Sequence, residues 1–270
     1  MLSVSFHIPF FLQSKNRPKA LCLFLFVFSL AFVKTSYAES PRSWLQGETL
    51  IYRVSWGIIT AGTASLETKV NGENIELRSL AHNNGAFKSI YPVADTIFSS
   101  VHRESFLPTY FKKIIHEGAY HDKSIILFDR KKLKAQLSDT VFLNPEQRTI
   151  KRFNDTTITI FGNERCILSA FYYVRGLNFD KNKKLYFSAV SGKKRYDLQV
   201  VIHGRERINT KFGYKNCVKL EPILKEDSLF KSVGRLFIWL TDDAERLPVL
   251  MRSEIKVGSI KAELIDYYKK

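Results

Sequence analysis

The sequence predicts a mainly β protein: a single curved antiparallel sheet or a half-open β-barrel, with one helix packed against it. Three observations predict this fold. Apolar and polar residues alternate with period two in many short segments, Gly, Asn and Asp mark the turns between them, and one segment has clear helical periodicity. No Pro-rich or Ser-rich linker divides the 270 residues, so we expect one domain, residues 39–270, after an N-terminal signal.

The first 38 residues have the pattern of a secretory signal peptide. Basic residues at positions 15–19 precede an apolar run at 20–33, which is shorter than the ~20 residues of a membrane-spanning helix. Small residues follow at Ser36 and Ala38, so we expect cleavage after Ala38 and a periplasmic location. An uncleaved membrane anchor is the alternative. Cys22 stands at the start of the apolar run, which argues against a lipid-modified cysteine, and no further apolar run of spanning length follows.

The chain is strongly basic. Removal of the signal takes four basic and no acidic residues, so the formal net charge falls from +16 to +12. Such a charge favours anionic partners, including lipid headgroups, lipopolysaccharide and polysaccharide, and export argues against nucleic acid. The alternative is an ordinary solvated basic surface, because the Lys and Arg residues are scattered along the chain.

The mature chain opens with a predicted meander of short strands. Residues 50–56 alternate and have an aromatic face, and Gly57 and Gly62 bound a turn or a sharp bend before alternation resumes. Asn71-Gly72 is a strong hairpin signal, and a further strand follows it.

The middle of the chain is less regular. Residues 93–101 fit either a short helix or a strand, and residues 139–163 form a looser segment with a β-like run at 156–160. Residues 118–122 are predicted to join two strands. Strands are predicted at 108–117, 123–129 and 132–137.

Residues 165–175 form the segment with helical periodicity, and Gly176 is well placed as its C-cap. The residues that share one face are Leu168, Phe171, Tyr172 and Arg175. This aromatic face predicts packing on the inside of the curved sheet. Strands are predicted to return at 184–190, 196–204, 206–212 and 215–221.

The last part of the chain, residues 231–268, predicts three consecutive antiparallel strands. Alternation runs through 236–240, 247–254 and 260–265. The segment 241–245 contains two Asp residues and is predicted as a turn, because Asp bonds readily to its own backbone.

Two cysteines, Cys166 and Cys217, remain in the mature chain. In an oxidising compartment such a pair is a candidate disulfide. The alternative is two separate buried thiols, which behave as small apolar side chains.

Four stretches share a family pattern. They are 47–52 with Trp56-Gly57 and Ala61-Gly62, 168–175, 212–222, and 234–243 with Pro248-Val249 and Gly258-Ser259. They resemble the exported bacterial proteins of domain-of-unknown-function 3108, a resemblance that spans most of the mature chain. It implies a periplasmic location and no agreed activity.

One position departs from that family pattern. The family usually has Asp three residues before the helix residue Ser169, and here that position is Cys166. By looser analogy, the chain is similar to the half-open β-barrels of periplasmic lipoprotein carriers, which concerns the fold alone.

The aromatic content, 13% with 21 Phe and 12 Tyr, is compatible with a concave apolar groove for a ligand. The candidate ligand-binding residues are Tyr52, Trp56, Phe171 and Tyr172. Arg175 is a candidate for an anionic headgroup, or it offsets the dipole at the helix C-terminus. The alternative for the aromatic residues is a plain core.

Signals of catalysis are scarce. Asp242 and Asp243, or His116 and Asp122, could act as acid/base pairs, although their positions favour roles in turns and hairpins. His116, His121 and Asp122 cluster in the sequence, but exposed hairpin residues explain them better than a metal site. No motif for a nucleotide, metal or other cofactor is present.

Three functions therefore remain open from the sequence. The favoured one is a non-enzymatic periplasmic protein that binds an apolar or amphipathic envelope component, such as a lipid, lipoprotein or peptide. The second is an envelope enzyme that acts on glycan or lipid. The third is an interaction module that docks partners at the edges of its sheet.

Overall fold

The computed structural model describes most of the chain after the predicted signal. The described residues are 43–83, 85, 88–89, 91–144, 146, 149–180, 183–192, 194–224, 234–255 and 258–269. The predicted signal peptide and its cleavage site lie outside them.

Fourteen strands, one α-helix and a short 3-10 turn at Ser43–Gln46 have described bounds. The strands are β1 Glu48–Trp56, β2 Ile59–Asn71, β3 Asn74–Asn83, β4 Ala94–His102, β5 Pro108–Glu117, β6 Tyr120–Asp129, β7 Lys134–Asn144, β8 Thr149–Thr159, β9 Lys184–Ser191, β10 Lys194–Thr210, β11 Gly213–Leu224, β12 Leu236–Thr241, β13 Pro248–Glu254 and β14 Ser259–Lys269. The helix α1 is Ile167–Arg175.

All fourteen strands form one antiparallel sheet in which sequence neighbours are also spatial neighbours. The order is β8-β7-β6-β5-β4-β3-β2-β1-β14-β13-β12-β11-β10-β9. The first strand pairs with the last, so the two open edges, β8 and β9, are consecutive in the chain. The segment between these two edges contains α1, which confirms the predicted unclosed sheet with one packed helix.

The sheet must curve strongly, because α1 contacts strands that are far apart in its order. The helix packs against β3 and β4 and also against β9, at the far edge. Just before α1, the backbone of Arg165 bonds to Ser188 and Val190 of β9, at 2.9 and 2.8 Å. The main apolar core therefore lies between the concave face of the sheet and the helix.

Several elements differ from the sequence prediction. Most of 139–163, predicted as a looser segment with a β-like run at 156–160, belongs to the β7–β8 hairpin. Of the two alternatives for 93–101, the strand is the one present, at 94–102. The join between β5 and β6 is shorter than predicted, so that His121 and Asp122 lie within β6. β8 carries many polar residues because it is exposed along most of its length, and this weakens the apolar alternation that predicts a strand.

A single long strand replaces the two predicted at 196–204 and 206–212. Gly204 interrupted the alternation, and the register of β10 with β11 shifts between Ile202 and Gly204. A bulge changes which face of the sheet the following side chains point to, but the strand continues through it.

Gly62 has a packing reason for being glycine. A Cβ there would lie 2.2 Å from the carbonyl oxygen of His82 on the neighbouring strand β3. The two backbones therefore approach closely at Gly62, and β2 continues through this position without the predicted bend or turn ending there.

Candidate ligand-binding site

The N-terminus of α1 is fixed by a buried cysteine. Cys166 is the N-cap residue, and its Sγ accepts a hydrogen bond from the backbone N–H of Ser169 at 3.4 Å. The same sulfur lies 3.2 Å from the Ser99 hydroxyl of β4, which ties the helix start to the sheet. Burial raises the pKa of the Cys166 thiol, so it stays protonated and unreactive at neutral pH.

The candidate disulfide between Cys166 and Cys217 is absent from this structure, in which both cysteines are free and buried. Cys166 is held at the helix start, whereas Cys217 lies in β11 and contacts the Lys215 carbonyl oxygen at 3.6 Å. Burial and the nearby carboxylates, Asp243 first, raise the pKa of Cys217 to about 11. The alternative of two separate buried thiols describes this structure.

Two arginines hold the segment that enters the helix. Arg165 donates to the carbonyl oxygen of Phe106 at 2.5 Å, and Arg130 donates to those of Gly162 and Glu164 at 2.8 and 2.9 Å. The buried carboxylate of Glu164 accepts the N–H groups of the turn just before it. Because these groups are bonded to backbone, the entry to α1 is closely fixed in position.

The C-terminus of α1 is held by a buried ion pair. Arg175 and Glu48 of β1 have side chains that are 0% and 1% exposed, and Arg175 Nη2 lies 3.1 Å from Glu48 Oε2. Arg175 also donates to the carbonyl oxygens of Glu245 and Arg246 in the turn between β12 and β13. Burial opposes the charge of Arg175, but Glu48 outweighs it and holds the pKa of Arg175 above its ordinary value.

Two buried tyrosines complete this polar cluster. Tyr52 donates its hydroxyl to the carbonyl oxygen of Pro248 at 3.0 Å, and the Arg175 guanidinium lies 5.3 Å from the centre of the Tyr172 ring. Burial raises the pKa of both tyrosines well above the ordinary value. We call Glu48, Tyr52, Tyr172 and Arg175 the polar clamp, because they join α1 to β1 through interactions closed to solvent.

The other side of α1 borders a small apolar cavity. Its volume is about 30 Å³ and its lining contains no charged side chain. The lining residues are Ala170, Phe171, Val174, Phe187, Leu198, Val200, Leu220, Pro222, Ile238 and Leu240. Eight of these ten are buried, whereas Phe171 of α1 and Phe187 of the edge strand β9 are half-buried. Phe171 and Phe187 are therefore the lining residues that reach the surface, one on the helix and one on the open edge of the sheet.

The structure divides the five predicted ligand-binding residues among three places. Phe171 lines the apolar cavity, whereas Tyr52, Tyr172 and Arg175 belong to the polar clamp. Trp56 lies elsewhere, at the end of β1, where its Nε1 would be 3.2 Å from a Cβ added at Gly258.

Most of the cavity lining was absent from the predicted site. Phe187, Leu198 and Val200 occur at every second position in segments predicted as strands. This alternation could have assigned them to one face. It could not show that this face is the one opposite the helix.

The predicted acidic pair Asp242-Asp243 belongs to the turn between β12 and β13. Asp242 accepts hydrogen bonds from Arg205 and Arg246 at 2.5 and 2.8 Å. Burial acts to raise the pKa of Asp242, but these two arginines outweigh it and lower the pKa. Asp243 accepts the backbone N–H groups of Glu245 and Arg246, as the turn interpretation expected.

The predicted pair His116 and Asp122 lies on opposite faces of the sheet. His116 faces His121 across β5 and β6, with 3.1 Å between their Nδ1 atoms, while Asp122 is buried on the inner face and pairs with Lys113 at 2.9 Å. Burial and then His116 lower the pKa of His121. Within the part of the chain that the structure describes, no three His, Cys, Asp or Glu side chains are placed to hold a metal ion.

The family model for proteins of unknown function DUF3108 matches residues 51–265. The chain belongs to the DUF3108 family. The match covers nearly all of the sheet and the whole of α1, and confirms the resemblance found in the sequence. No curated protein matches the chain.

A solved structure supports the β-barrel-like architecture of this DUF3108 protein. It is a beta-barrel-like protein of domain of unknown function DUF1849 from Brucella abortus, with a TM-score of 0.57 at 8% identity. The alignment covers 83% of this chain and 98% of that chain. At this identity the likeness concerns the fold alone.

No helix among the described residues has the length and apolarity needed to cross a membrane.

Proposed function

We propose that this DUF3108 protein is an exported, non-enzymatic protein of the bacterial envelope that binds an apolar or amphipathic component in the cavity beside α1. The observation that carries the proposal is the wholly apolar lining of that cavity, next to the open edge of the sheet. Ligand sites in proteins are typically concave and mostly apolar. The signal-peptide pattern and the basic charge support an envelope location.

The resting cavity is too small for a lipid chain or a peptide side chain of any length. A volume of about 30 Å³ corresponds to roughly one or two water molecules, whereas small-molecule sites occupy about 300–1,000 Å³. Binding therefore requires Phe171 and Phe187 to move apart. Both rings are half-buried, so they are the lining side chains that already reach the surface and can move first.

The catalytic alternative loses its proposed residues. Asp242 is paired with two arginines, Asp243 bonds within its turn, and His116 and Asp122 lie on opposite faces. None of these pairs forms an acid/base site in one cleft.

A competition experiment tests the ligand proposal. A fluorescent fatty acid is bound to the exported chain and then displaced by lipid extracted from the envelope. Val200→Phe fills the cavity, so we expect probe affinity to fall at least about tenfold, while overpacking lowers stability by about 1–3 kcal/mol. Val201→Phe is the matched control, since its side chain lies on the opposite face of the same strand. Equal probe binding by Val200→Phe and the parent chain would show that the cavity is not the site.

A second function is favoured by one specific observation, the exposure of edge strand β8. Its side chains are exposed or half-exposed on both faces along all eleven residues, and one edge has no strand partner. Such an edge can add a strand from a partner protein, although Lys151 and Arg152 restrain unspecific pairing.

A proline substitution in β8 tests this second function. Replacing Thr156 with Pro should abolish a strand-adding contact that is detected by cross-linking in cells. Unchanged cross-links would exclude β8 as the docking edge.

A further inference from the structure

The turn between β1 and β2 has an unusual composition for a hairpin tip. Turn positions usually hold Gly, Asn, Asp, Ser or Pro, but here Gly57 is followed by Ile58 and Ile59. Ile58 is fully exposed and Ile59 is 50% exposed. Trp56 pairs with Ile59 across the hairpin, so the two side chains lie on the same face. We call Trp56, Ile58 and Ile59 the apolar tip.

The apolar tip is held in a fixed position. Gly57 has a φ of +59°, which a residue with a side chain rarely adopts, and its N–H donates to the carbonyl oxygen of Ser259 at 3.0 Å. Trp56 also pairs with Ile260 of β14, which anchors the hairpin on its other side. The exposed isoleucines are therefore presented by a tied-down turn.

The end of the sheet that holds the tip is basic. Because the sheet is an antiparallel meander, alternate connections lie at the same end, and Lys88, Lys151, Lys194 and Lys261 lie at or next to them. Among the described residues of this end, the solvent-accessible carboxylates are Glu146 and Glu254, and Glu254 is paired with Arg252. Lys261 lies opposite Ser55, directly beside the tip.

We propose that the apolar tip docks the protein on the surface of an anionic lipid bilayer. Exposed Ile side chains enter the boundary between headgroups and acyl chains, Trp favours the same interface, and lysines at the same end of the sheet attract anionic headgroups. A protein partner would be an alternative for the isoleucines alone. The positive charge of this end of the sheet favours the bilayer.

Vesicle co-sedimentation of the exported chain tests this proposal. With vesicles of phosphatidylglycerol and phosphatidylcholine, we expect binding that weakens on raising the salt concentration, because exposed charges are then screened. The double substitution Ile58→Ser and Ile59→Ser should reduce the partition coefficient at least about tenfold. Trp emission should shift to the blue on binding, and Trp56→Phe should remove most of that shift.

The opposite end of the sheet supplies a matched control. Tyr214 is 62% exposed at the β10–β11 turn and also has basic neighbours, among them Arg207, whose guanidinium lies 4.5 Å from its ring centre. Tyr214→Ser should change the partition coefficient by less than about twofold. Failure of the parent chain to bind anionic vesicles would overturn the proposal. So would binding that persists in the double variant, or self-association that this variant abolishes without any vesicle binding. Bilayer docking and fatty-acid binding are measured separately, so either can fail alone.

Discussion

The two sides of helix α1 are built in opposite ways. On one side, the polar clamp places Arg175, Glu48 and two tyrosines in contacts that are closed to solvent. On the other, apolar side chains from β9 to β12 leave a cavity between Phe171 and Phe187. Hydrogen bonds and ion pairs depend strongly on geometry, whereas apolar contacts tolerate rearrangement. The difference indicates that the clamp fixes the helix while the cavity side can open.

The largest expected effect comes from breaking the clamp. Arg175→Met leaves the Glu48 carboxylate buried without its cation, and should lower the free energy of unfolding by about 3–5 kcal/mol. Urea denaturation measures this loss. The double variant Glu48→Gln and Arg175→Met should lose less, because no charge is then stranded. Arg53→Met is the control, since the half-exposed Arg53–Glu263 pair contributes only about 0–1 kcal/mol. Equal losses for Arg175→Met and Arg53→Met would contradict the clamp.

The next largest effect is expected from the substitution of Val by Ile at two positions, one in β10 beside the cavity and one in β11 in the filled core. Val200 borders the cavity, and Val218 is 0% exposed in the filled core. Val218→Ile should destabilise the protein by about 1–3 kcal/mol through overpacking. Val200→Ile adds one methylene where space exists and should stabilise it by up to about 0.8 kcal/mol. Thermal denaturation of both variants distinguishes them, and the same sign for both would show that the cavity is already filled.

The N-cap of α1 predicts a smaller effect. Cys166→Ala removes the acceptor for the Ser169 N–H and should cost about 1 kcal/mol. Cys166→Ser should recover part of this loss, because Ser is a favoured N-cap residue.

Alkylation with iodoacetamide reports on the same cysteine. Cys166 and Cys217 should not react in the folded protein, since both are buried and burial raises the pKa of both thiols. After unfolding, both should react without a reductant, because both are free. If the unfolded chain could be labelled only after reduction, the two cysteines would be joined by a disulfide and this prediction would be wrong.

The smallest effect concerns the turn that receives Arg175. The lowered pKa of Asp242 means that its contribution to stability is present above the ordinary pKa of 3.8 and disappears as the pH falls through the lower folded-state value. Asp242→Asn should therefore cost no more than about 1 kcal/mol at pH 7 and progressively less below about pH 4. Denaturation between pH 7 and pH 2.5 measures the difference. A constant difference over that range would show that Asp242 does not titrate with folding.

Prediction from the sequence succeeded where the local pattern was strong. The helix, the C-terminal three strands and the hairpin at Asn71-Gly72 follow from apolar period and turn chemistry. It was wrong at the first part of β8, before the β-like run at 156–160, and at the β10 bulge, since an exposed edge lacks alternation and a bulge reverses it. Of the cavity, only Phe171 was among the predicted ligand residues.

The sequence by itself determined that this chain is a many-stranded antiparallel sheet with a single regular helix of aromatic face, because strand alternation, turn residues and helical spacing are local properties. Only the tertiary structure decided that Arg175 meets Glu48, that Cys166 caps the helix instead of bonding to Cys217, and that Phe187 and Phe171 line the same cavity. These contacts join residues distant in the chain. They depend on how far the sheet curves around α1, which no local pattern specifies.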